Sequence, residues 1–253
     1  MQLRWAHGPQ VYVPAATYST IAPGYFTIDV MPRLPFITFE GSEGCGKSTQ
    51  VKRLAARFER SGIPFLVTRE PGGTAIGESI RELLQFAPHN AGMMPETELL
   101  LFEASRSQLV REIIKPALER AVCVIADRFL DSTTVYQGAA RKLGRQFVEQ
   151  LNAFAIGDCL PDITFVLDID AETARSRMQQ PRRADRMEQQ PAEFYEQVRA
   201  GYRELATREP TRIVLINGSG DADKIENDIW ETLRARFPVL AKTPNIRHQT
   251  SNI

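Results

Sequence analysis

Residues 41–48 read Gly41-Ser42-Glu43-Gly44-Cys45-Gly46-Lys47-Ser48, which fits the pattern G-x-x-x-x-G-K-S of a phosphate-binding loop. The motif requires a strand before the loop and a helix after it. Residues 36–40 form an apolar run that predicts a buried strand, and the residues behind the loop repeat at helical spacing as Val51, Leu54, Ala55 and Phe58. Because both flanking elements are predicted, a phosphate-binding loop is favoured over a simple glycine-rich turn.

A loop of this kind binds a nucleoside triphosphate through its backbone N–H groups and the positive end of the following helix. We therefore expect the whole of residues 41–48 to surround the phosphates. Lys47 is expected to reach the β- and γ-phosphates, and the hydroxyl of Ser48 is expected to bind Mg²⁺.

The composition of the chain is that of an ordinary globular protein with one main domain: 253 residues, of which 43% are hydrophobic and 25% charged. Thirty-one basic and thirty-one acidic residues cancel, so nucleic acid is not expected as a partner. Cys45, Cys123 and Cys159 lack the spacing of a metal site and predict reduced thiols. No apolar run reaches the roughly 20 residues of a membrane helix. We expect a cytoplasmic protein without a membrane partner.

Apolar runs at residues 36–40, 64–68, 121–127, 163–167 and 213–216 predict five strands, and helical patterns lie between and after them. The helices are expected at about 76–84, 96–120, 143–157, 171–178, 192–209 and 221–236, in addition to the helix after the loop. Strands that alternate with helices predict an α/β fold, a doubly wound, five-stranded parallel sheet flanked by helices. Residues 1–34 lack any period and are interpreted as an irregular arm, whereas 35–240 form the domain and 241–253 a polar tail. Deletion of residues 1–30 should leave activity and melting temperature essentially unchanged.

Charged side chains follow the first three predicted strands at the edge of the sheet where ligands bind in such folds. Glu43 lies in the loop after the first strand, Arg69 and Glu70 follow the second, and Asp127 and Arg128 follow the third. Asp127 is expected to hold Mg²⁺ through water, with a helix-capping aspartate as the alternative. The two arginines can each grip a phosphate bidentately, although one alone would be read as a surface salt bridge. Together they indicate a second substrate that bears a phosphate.

Four segments resemble bacterial thymidylate kinase: Phe39-Glu40-Gly41, Thr68-Arg69-Glu70-Pro71-Gly72-Gly73-Thr74, Asp127-Arg128 with Ser132-Thr133 and Tyr136-Gln137-Gly138, and Asp185-Arg186-Met187-Glu188. The resemblance covers about residues 35–240. It implies a P-loop nucleoside monophosphate kinase that transfers the γ-phosphate of ATP to dTMP, giving dTDP and ADP in dTTP biosynthesis, usually as a homodimer.

The resemblance also implies roles for individual side chains toward dTMP. Arg69 and Arg128 would grip its phosphate, Glu43 would approach the sugar 3′-hydroxyl, and Tyr136 would crowd the 2′ position. The base would be stacked on Phe102, hydrogen-bonded by Arg106 and surrounded by Ser132, Thr133 and Gln137. Phe102 and Arg106 are four residues apart on one predicted helix and therefore share a face. Without the resemblance, Phe102 would be interpreted as a core residue and Arg106 as a surface residue.

The loop contains no arginine, so another segment must supply catalytic positive charge beyond that of Lys47 and Arg128. The basic stretch Pro181-Arg182-Arg183-Ala184-Asp185-Arg186 lies between two predicted helices and predicts a small helical lid over ATP at about 179–191. A solvated basic turn is the alternative. The resemblance, in which the lid provides the arginines that the loop lacks, favours Arg183 and Arg186 as catalytic residues.

Two other functions remain open on the sequence alone. One is a different nucleoside monophosphate kinase or a deoxynucleoside kinase, which would differ in the residues that face the base. The other is a phosphate-loop switch or an ATP-dependent interaction module. The N-K-x-D motif of guanine-selective switches is absent from the sequence.

Overall fold

The computed structural model describes residues 10–12, 33–177 and 191–241. Within these residues one mixed sheet has the strand order β1-β3-β4-β2-β5-β6. The strands are β1 Gln10–Tyr12, β2 Phe36–Glu40, β3 Phe65–Arg69, β4 Cys123–Asp127, β5 Ile163–Asp168 and β6 Ile213–Asn217. The last five are parallel to one another and lie within two residues of the predicted runs, so the doubly wound α/β fold is confirmed.

The sixth strand, β1, was not predicted and corrects the interpretation of the N-terminal arm as wholly irregular. β1 runs antiparallel to β3, with Gln10 opposite Val67 and Tyr12 opposite Phe65. The rings of Tyr12 and Phe65 stack with centroids 5.4 Å apart. A strand of three residues is too short to show the alternation that identifies strands, and its position is set by the free edge of β3. The other predictions for residues 1–9, 13–32 and 242–253 lie outside the described residues.

Helices connect the strands on both sides of the sheet. In the described part of the chain they are α1 Lys47–Arg60, α2 Ala75–Gln85, α3 Pro95–Leu109, α4 Lys115–Glu119, α5 Leu130–Thr133, α6 Arg145–Ile156, α7 Ala171–Arg177, α8 Ala192–Arg208 and α9 Ala222–Arg236. A π-helical segment, Val110–Ile114, joins α3 to α4, so the single predicted helix at 96–120 is continuous but widened in the middle. A second π-helical segment, Thr134–Ala140, extends α5, and sequence periodicity missed this helix altogether.

Both faces of the sheet are covered, which explains why the strands are predominantly apolar. Ile37 and Phe39 of β2 pack into one core together with α1 and α9. Phe36 points to the opposite face, where it joins a second core that contains Leu109 and Ile114. A third cluster packs α8 against the segment that follows α5.

The parallel register brings the polar residues at the strand ends together. Phe39 lies opposite Asp127, and Arg69 also lies opposite Asp127 on the other side of β4. β2, β4 and β3 therefore end side by side, and the loops that follow them border one cleft.

Candidate active site

The phosphate loop has the backbone conformation that its glycines permit. Gly41, Gly44 and Gly46 have φ of 133°, 75° and 99°. A Cβ on Gly41 would lie 2.7 Å from the carbonyl oxygen of Leu167, so a side chain at this position would displace the loop. Lys47 Nζ donates hydrogen bonds to the carbonyl oxygens of Gly41 at 3.0 Å and Ser42 at 2.8 Å. The ammonium group is thereby held over the loop.

Ser48 and Asp127, the two residues expected to hold Mg²⁺, meet at the end of the sheet. The hydroxyl of Ser48 donates to the carboxylate of Asp127 at 2.7 Å. Ser48 is the second residue of α1, and Asp127 is the last residue of β4. The pair places two oxygen ligands of the kind that Mg²⁺ prefers next to the loop.

Arg128 joins the phosphate loop to the opposite wall of the cleft. Its guanidinium donates to the carbonyl oxygen of Gly41 at 3.1 Å, to Ser132 Oγ at 3.1 Å and to Glu43 at 2.6 Å. The other carboxylate oxygen of Glu43 accepts a bond from the Tyr136 hydroxyl at 2.9 Å. Burial raises the pKa of the Tyr136 phenol well above its usual value, so this hydroxyl stays a donor. Arg128 also has a φ of 71°, in the left-handed region that is unfavourable for its side chain.

Arg69 is oriented by a carboxylate that sequence reasoning missed. Both oxygens of Glu78 accept bonds from Arg69, at 3.0 and 2.8 Å, and one of them also accepts the backbone N–H of Gly73 at 2.8 Å. Glu78 lies in the first turn of α2, and 31% of its side chain is exposed. Both bonds come from one guanidinium nitrogen, and they hold the guanidinium against the glycine turn after β3.

Arg106 is almost completely buried, with 1% of its side chain exposed, and its five N–H groups match five hydrogen bonds to protein oxygens. Two bonds, of 2.6 and 2.9 Å, go to Glu70; the others go to Glu103 at 2.8 Å, Asn152 at 2.7 Å and Thr133 at 2.9 Å. Burial raises the pKa of Glu70 to about 7 because it outweighs the attraction of Arg106, and the charge of Glu103 acts in the same direction as burial. Arg106 is therefore a wall residue anchored from several helices.

Gln137 is fixed by a buried carboxylate on α3. Its Nε2 donates to Glu98 at 2.7 Å, and Glu98 is 1% exposed. An ionised carboxylate can accept hydrogen bonds but cannot donate them. The NH₂ end of the Gln137 amide, and not its carbonyl end, therefore faces Glu98.

These residues enclose a cavity of about 470 Å³. All nine residues assigned to dTMP by the resemblance line it, together with Lys47, Ser48 and Asp127; the nine are Glu43, Arg69, Phe102, Arg106, Arg128, Ser132, Thr133, Tyr136 and Gln137. Five further lining residues were not assigned a role from the sequence: Glu70, Pro71, Arg81, Gln85 and Phe86. Arg81 and Gln85 are four apart on α2, so the spacing argument applied to Phe102 and Arg106 could have found them.

A second cavity of about 400 Å³ lies on the other side of the phosphate loop. It shares Lys47 and Ser48 with the first cavity and is also lined by Arg177, Ala222 and Ile225. Arg177 donates to the carbonyl oxygen of Gly218 at 2.9 Å. The loop therefore separates two chambers, and its lysine is accessible to both.

The two candidate lid arginines, Arg183 and Arg186, lie outside the described residues, as does the whole segment 178–190. None of the helices that the structure describes combines the length and apolar character of a membrane span.

The family model described as "Thymidylate kinase" matches residues 39–229, from the penultimate residue of β2 into α9. The chain belongs to the thymidylate kinase family. Thymidylate kinase from Kosmotoga olearia is 45% identical over 194 residues, which are 77% of this chain and 92% of that one. Thymidylate kinase from Geobacter sulfurreducens is 43% identical over 209 residues, covering 80% of this chain and 98% of that one.

A solved thymidylate kinase structure, from Ehrlichia chaffeensis, superposes with a TM-score of 0.64 at 37% identity and covers 80% of this chain and 99% of that chain. The resemblance inferred from the four segments is thereby confirmed. The fold is that of a P-loop kinase, and the enzyme class is that of a nucleotide-binding phosphotransferase, as predicted.

Proposed function

We propose that this chain is a dTMP kinase that transfers the γ-phosphate of ATP to dTMP, giving dTDP and ADP in dTTP biosynthesis. Membership of the thymidylate kinase family supports the reaction. The observation that supports it best is the 470 Å³ cavity, because one wall is the end of the phosphate loop and the other walls are two arginines and an aromatic ring. A donor phosphate and a second, phosphate-bearing nucleotide can meet there without water between them.

In this proposal the donor occupies the chamber behind the loop, with its phosphates along residues 41–48. Lys47 neutralises charge on the β- and γ-phosphates, and transfer is direct, without a covalent enzyme intermediate, because phosphoryl transfer is accelerated by positioning and charge. Arg183 and Arg186 would add positive charge from the lid.

Mg²⁺ fits the pair formed by Ser48 and Asp127, since a hydroxyl, one carboxylate and the phosphates of the nucleotide make an oxygen site of the usual kind. When bound, the ion neutralises charge that develops on the transferring phosphate. The two residues contribute by holding their oxygens 2.7 Å apart at the mouth of the loop.

On the acceptor side, Arg69 and Arg128 grip the dTMP phosphate, and their carboxylate partners Glu78 and Glu43 fix their orientation. Glu43 also approaches the 3′-hydroxyl of the sugar, and Tyr136 fills the space that a 2′-hydroxyl would need. A phenol that stays protonated and bonded to Glu43 cannot easily move aside for a ribonucleotide.

The base is enclosed by Phe102, which stacks on it, and by the polar side chains of Ser132, Thr133 and Gln137. Arg106 hydrogen-bonds the thymine base in this proposal, although its N–H groups already donate to protein oxygens. A base contact by Arg106 would therefore replace an existing bond, most easily the one to the neutral hydroxyl of Thr133.

The test is release of ADP from ATP with each nucleoside monophosphate in turn, in the presence and absence of Mg²⁺. We expect strong stimulation by dTMP alone, dependence on Mg²⁺, and loss of turnover in Lys47→Ala. Stimulation by a different monophosphate would contradict the substrate, and hydrolysis indifferent to all of them would favour an ATP-dependent interaction module.

We also propose a cytoplasmic homodimer. Five large apolar side chains are exposed on α2, α3 and α6, helices that contact one another in that order: Ile76, Leu83, Leu100, Phe147 and Phe154. Phe154 is 78% exposed, which is unusual for a phenylalanine on a monomer surface. Sedimentation velocity should give a dimer, and Phe154→Ser should shift it toward the monomer; a monomeric wild type would contradict the proposal.

A further inference from the structure

Glu40 is a buried carboxylate that the proposed function has not used. It is the last residue of β2, directly before Gly41 of the phosphate loop, and it is 0% exposed. Four groups donate hydrogen bonds to it: the backbone N–H groups of Phe129 at 2.7 Å and Ser132 at 3.2 Å, the Ser132 hydroxyl at 2.6 Å and the Tyr202 hydroxyl at 2.8 Å. Both oxygens of this carboxylate have donors, which offsets part of the cost of burying it, although burial and the charge of Asp131 still raise the pKa of Glu40.

The four donors surround the start of α5, which is the segment that bears Arg128. Arg128 immediately precedes Phe129, and its left-handed φ of 71° persists only if neighbouring contacts impose it. The bonds from the N–H groups of Phe129 and Ser132 to one Glu40 oxygen supply such contacts. The backbone of Arg128 is thus held on the side that faces the end of β2.

The side chain of Arg128 is held through the same carboxylate. The Ser132 hydroxyl donates its hydrogen to Glu40, so its lone pairs remain to accept the Arg128 guanidinium at 3.1 Å. The second anchor of that guanidinium nitrogen is the carbonyl oxygen of Gly41, also at 3.1 Å, and Gly41 follows Glu40 in the chain. Glu40 therefore connects the phosphate loop to both the backbone and the side chain of Arg128.

We propose that Glu40 is a positioning residue that sets the place of Arg128 relative to the phosphate loop, and hence the alignment of the acceptor phosphate with the donor phosphate. This inference rests on the proposed function of Arg128. Glu40 itself does not line the cavity, so it acts through Arg128 and Ser132. Tyr202 of α8 donates to the same Glu40 oxygen as the Ser132 hydroxyl and lies 3.0 Å from that hydroxyl.

The decisive variant is Glu40→Gln, which keeps the shape of the side chain. Its amide oxygen can still accept the two backbone N–H groups, but its NH₂ group faces the hydroxyls of Ser132 and Tyr202. Ser132 must then accept from the new amide and turn its hydrogen away from residue 40, toward the Tyr202 hydroxyl at 3.0 Å. This reorientation shifts the lone pair that accepts the Arg128 guanidinium. We expect kcat/KM for dTMP to fall by about 10- to 100-fold, because a displacement of about 1 Å in a catalytic group can cost this much. KM for dTMP should rise while KM for ATP stays unchanged.

The matched control is Asp131→Asn. Asp131 is equally buried, lies beside Ser132 on α5 and accepts two bonds of 2.7 Å from Arg212, but it does not line the cavity. It should lower the melting temperature as much as Glu40→Gln does, or more, yet leave KM for dTMP unchanged. A partly unfolded preparation would lower kcat alone and would leave both KM values unchanged, so the split between the two substrates separates positioning from stability.

Wild-type turnover is measured first, with whichever monophosphate stimulates ADP release most. Lack of turnover with dTMP overturns the proposed function, whereas an active wild type with an unaffected Glu40→Gln overturns this inference alone. Equal changes in KM for both substrates, or equal effects of the two variants, would also overturn it. If Glu40→Gln does not fold, Tyr202→Phe removes one donor and should show the same split at smaller amplitude. A crystal structure of either variant should show a longer distance between Arg128 and the Gly41 carbonyl; an unchanged distance contradicts the inference.

Discussion

Glu70, in the wall of the cavity, should make the stability of the wild type depend on pH, and replacing it by glutamine should remove that dependence. Glu70 is 5% exposed, and burial raises its pKa from a usual 4.5 to about 7 in the folded state. Between these two values the folded protein retains a proton that the unfolded chain has lost. The free energy of unfolding therefore falls as pH rises through this window and is constant above it.

The magnitude follows from the two pKa values. A tenfold change in a proton equilibrium corresponds to about 1.4 kcal/mol, so the interval from 4.5 to about 7 corresponds to about 3 kcal/mol. Glu103 shares the guanidinium of Arg106, and burial raises its pKa as well. Removing the charge of Glu70 lowers the pKa of Glu103, which adds to the difference between wild type and variant in the same direction.

The assay is urea unfolding of wild type and Glu70→Gln at intervals between about pH 5 and pH 8. The stability of the wild type minus that of the variant should decrease by about 2 to 3 kcal/mol over this range. Glu59→Gln, an exposed carboxylate on α1, controls for the loss of one negative charge. A difference that is flat or that rises with pH would refute the reasoning, since Glu70 would then be ionised in the folded state throughout.

Two further predictions concern the ends of the site and of the sheet. Alanine at Arg183 or Arg186 should lower kcat by at least about 100-fold, which is a cautious part of the effect of arginines in phosphoryl transfer. KM for dTMP should change little. Single-turnover kinetics that show a normal chemical step with weaker ATP binding would mean that the lid only holds the donor. Deletion of residues 1–30 should leave kcat unchanged. Contrary to the expectation from sequence, it should lower the free energy of unfolding by about 1 kcal/mol, because β1 and the stack of Tyr12 on Phe65 are lost. An unchanged urea midpoint would show that β1 does not contribute to stability.

The parts of the fold that sequence predicted are those with a strong local signal. The five parallel strands are predominantly apolar because both faces of the sheet are covered, and such strands can be recognised without knowledge of their neighbours. β1 and the helix from Leu130 to Ala140 were missed for the opposite reason. The former depends on a neighbouring edge, and the latter contains buried polar residues such as Asp131 and Thr134, whose partners are distant in the chain.

The candidate site shows the same division. Lys47, Ser48 and Asp127 follow from the loop motif and the end of an apolar strand, and Arg69 and Arg128 were predicted to bind a phosphate from their places after two strands. The remaining dTMP residues were assigned through the family resemblance. The carboxylates that orient the arginines, Glu78 and Glu40, could not be recognised from spacing, because the pairing of Glu78 with Arg69 depends on a turn and that of Glu40 with Ser132 crosses the sheet end. Burial and hydrogen-bond partners become visible only after folding.

The bond between Glu98 and Gln137 has a consequence for which pyrimidines the cavity accepts. Because Glu98 takes the NH₂ end of the amide, Gln137 has its carbonyl oxygen on the other branch, as an acceptor for a ligand in the cavity that it lines. Thymine and uracil carry a hydrogen on ring nitrogen N3, whereas cytosine has a lone pair there. In the proposed dTMP site, an acceptor oriented by the buried carboxylate of Glu98 would attract the first two and repel the third. We therefore expect Glu98, which does not line the cavity, to favour keto over amino pyrimidines.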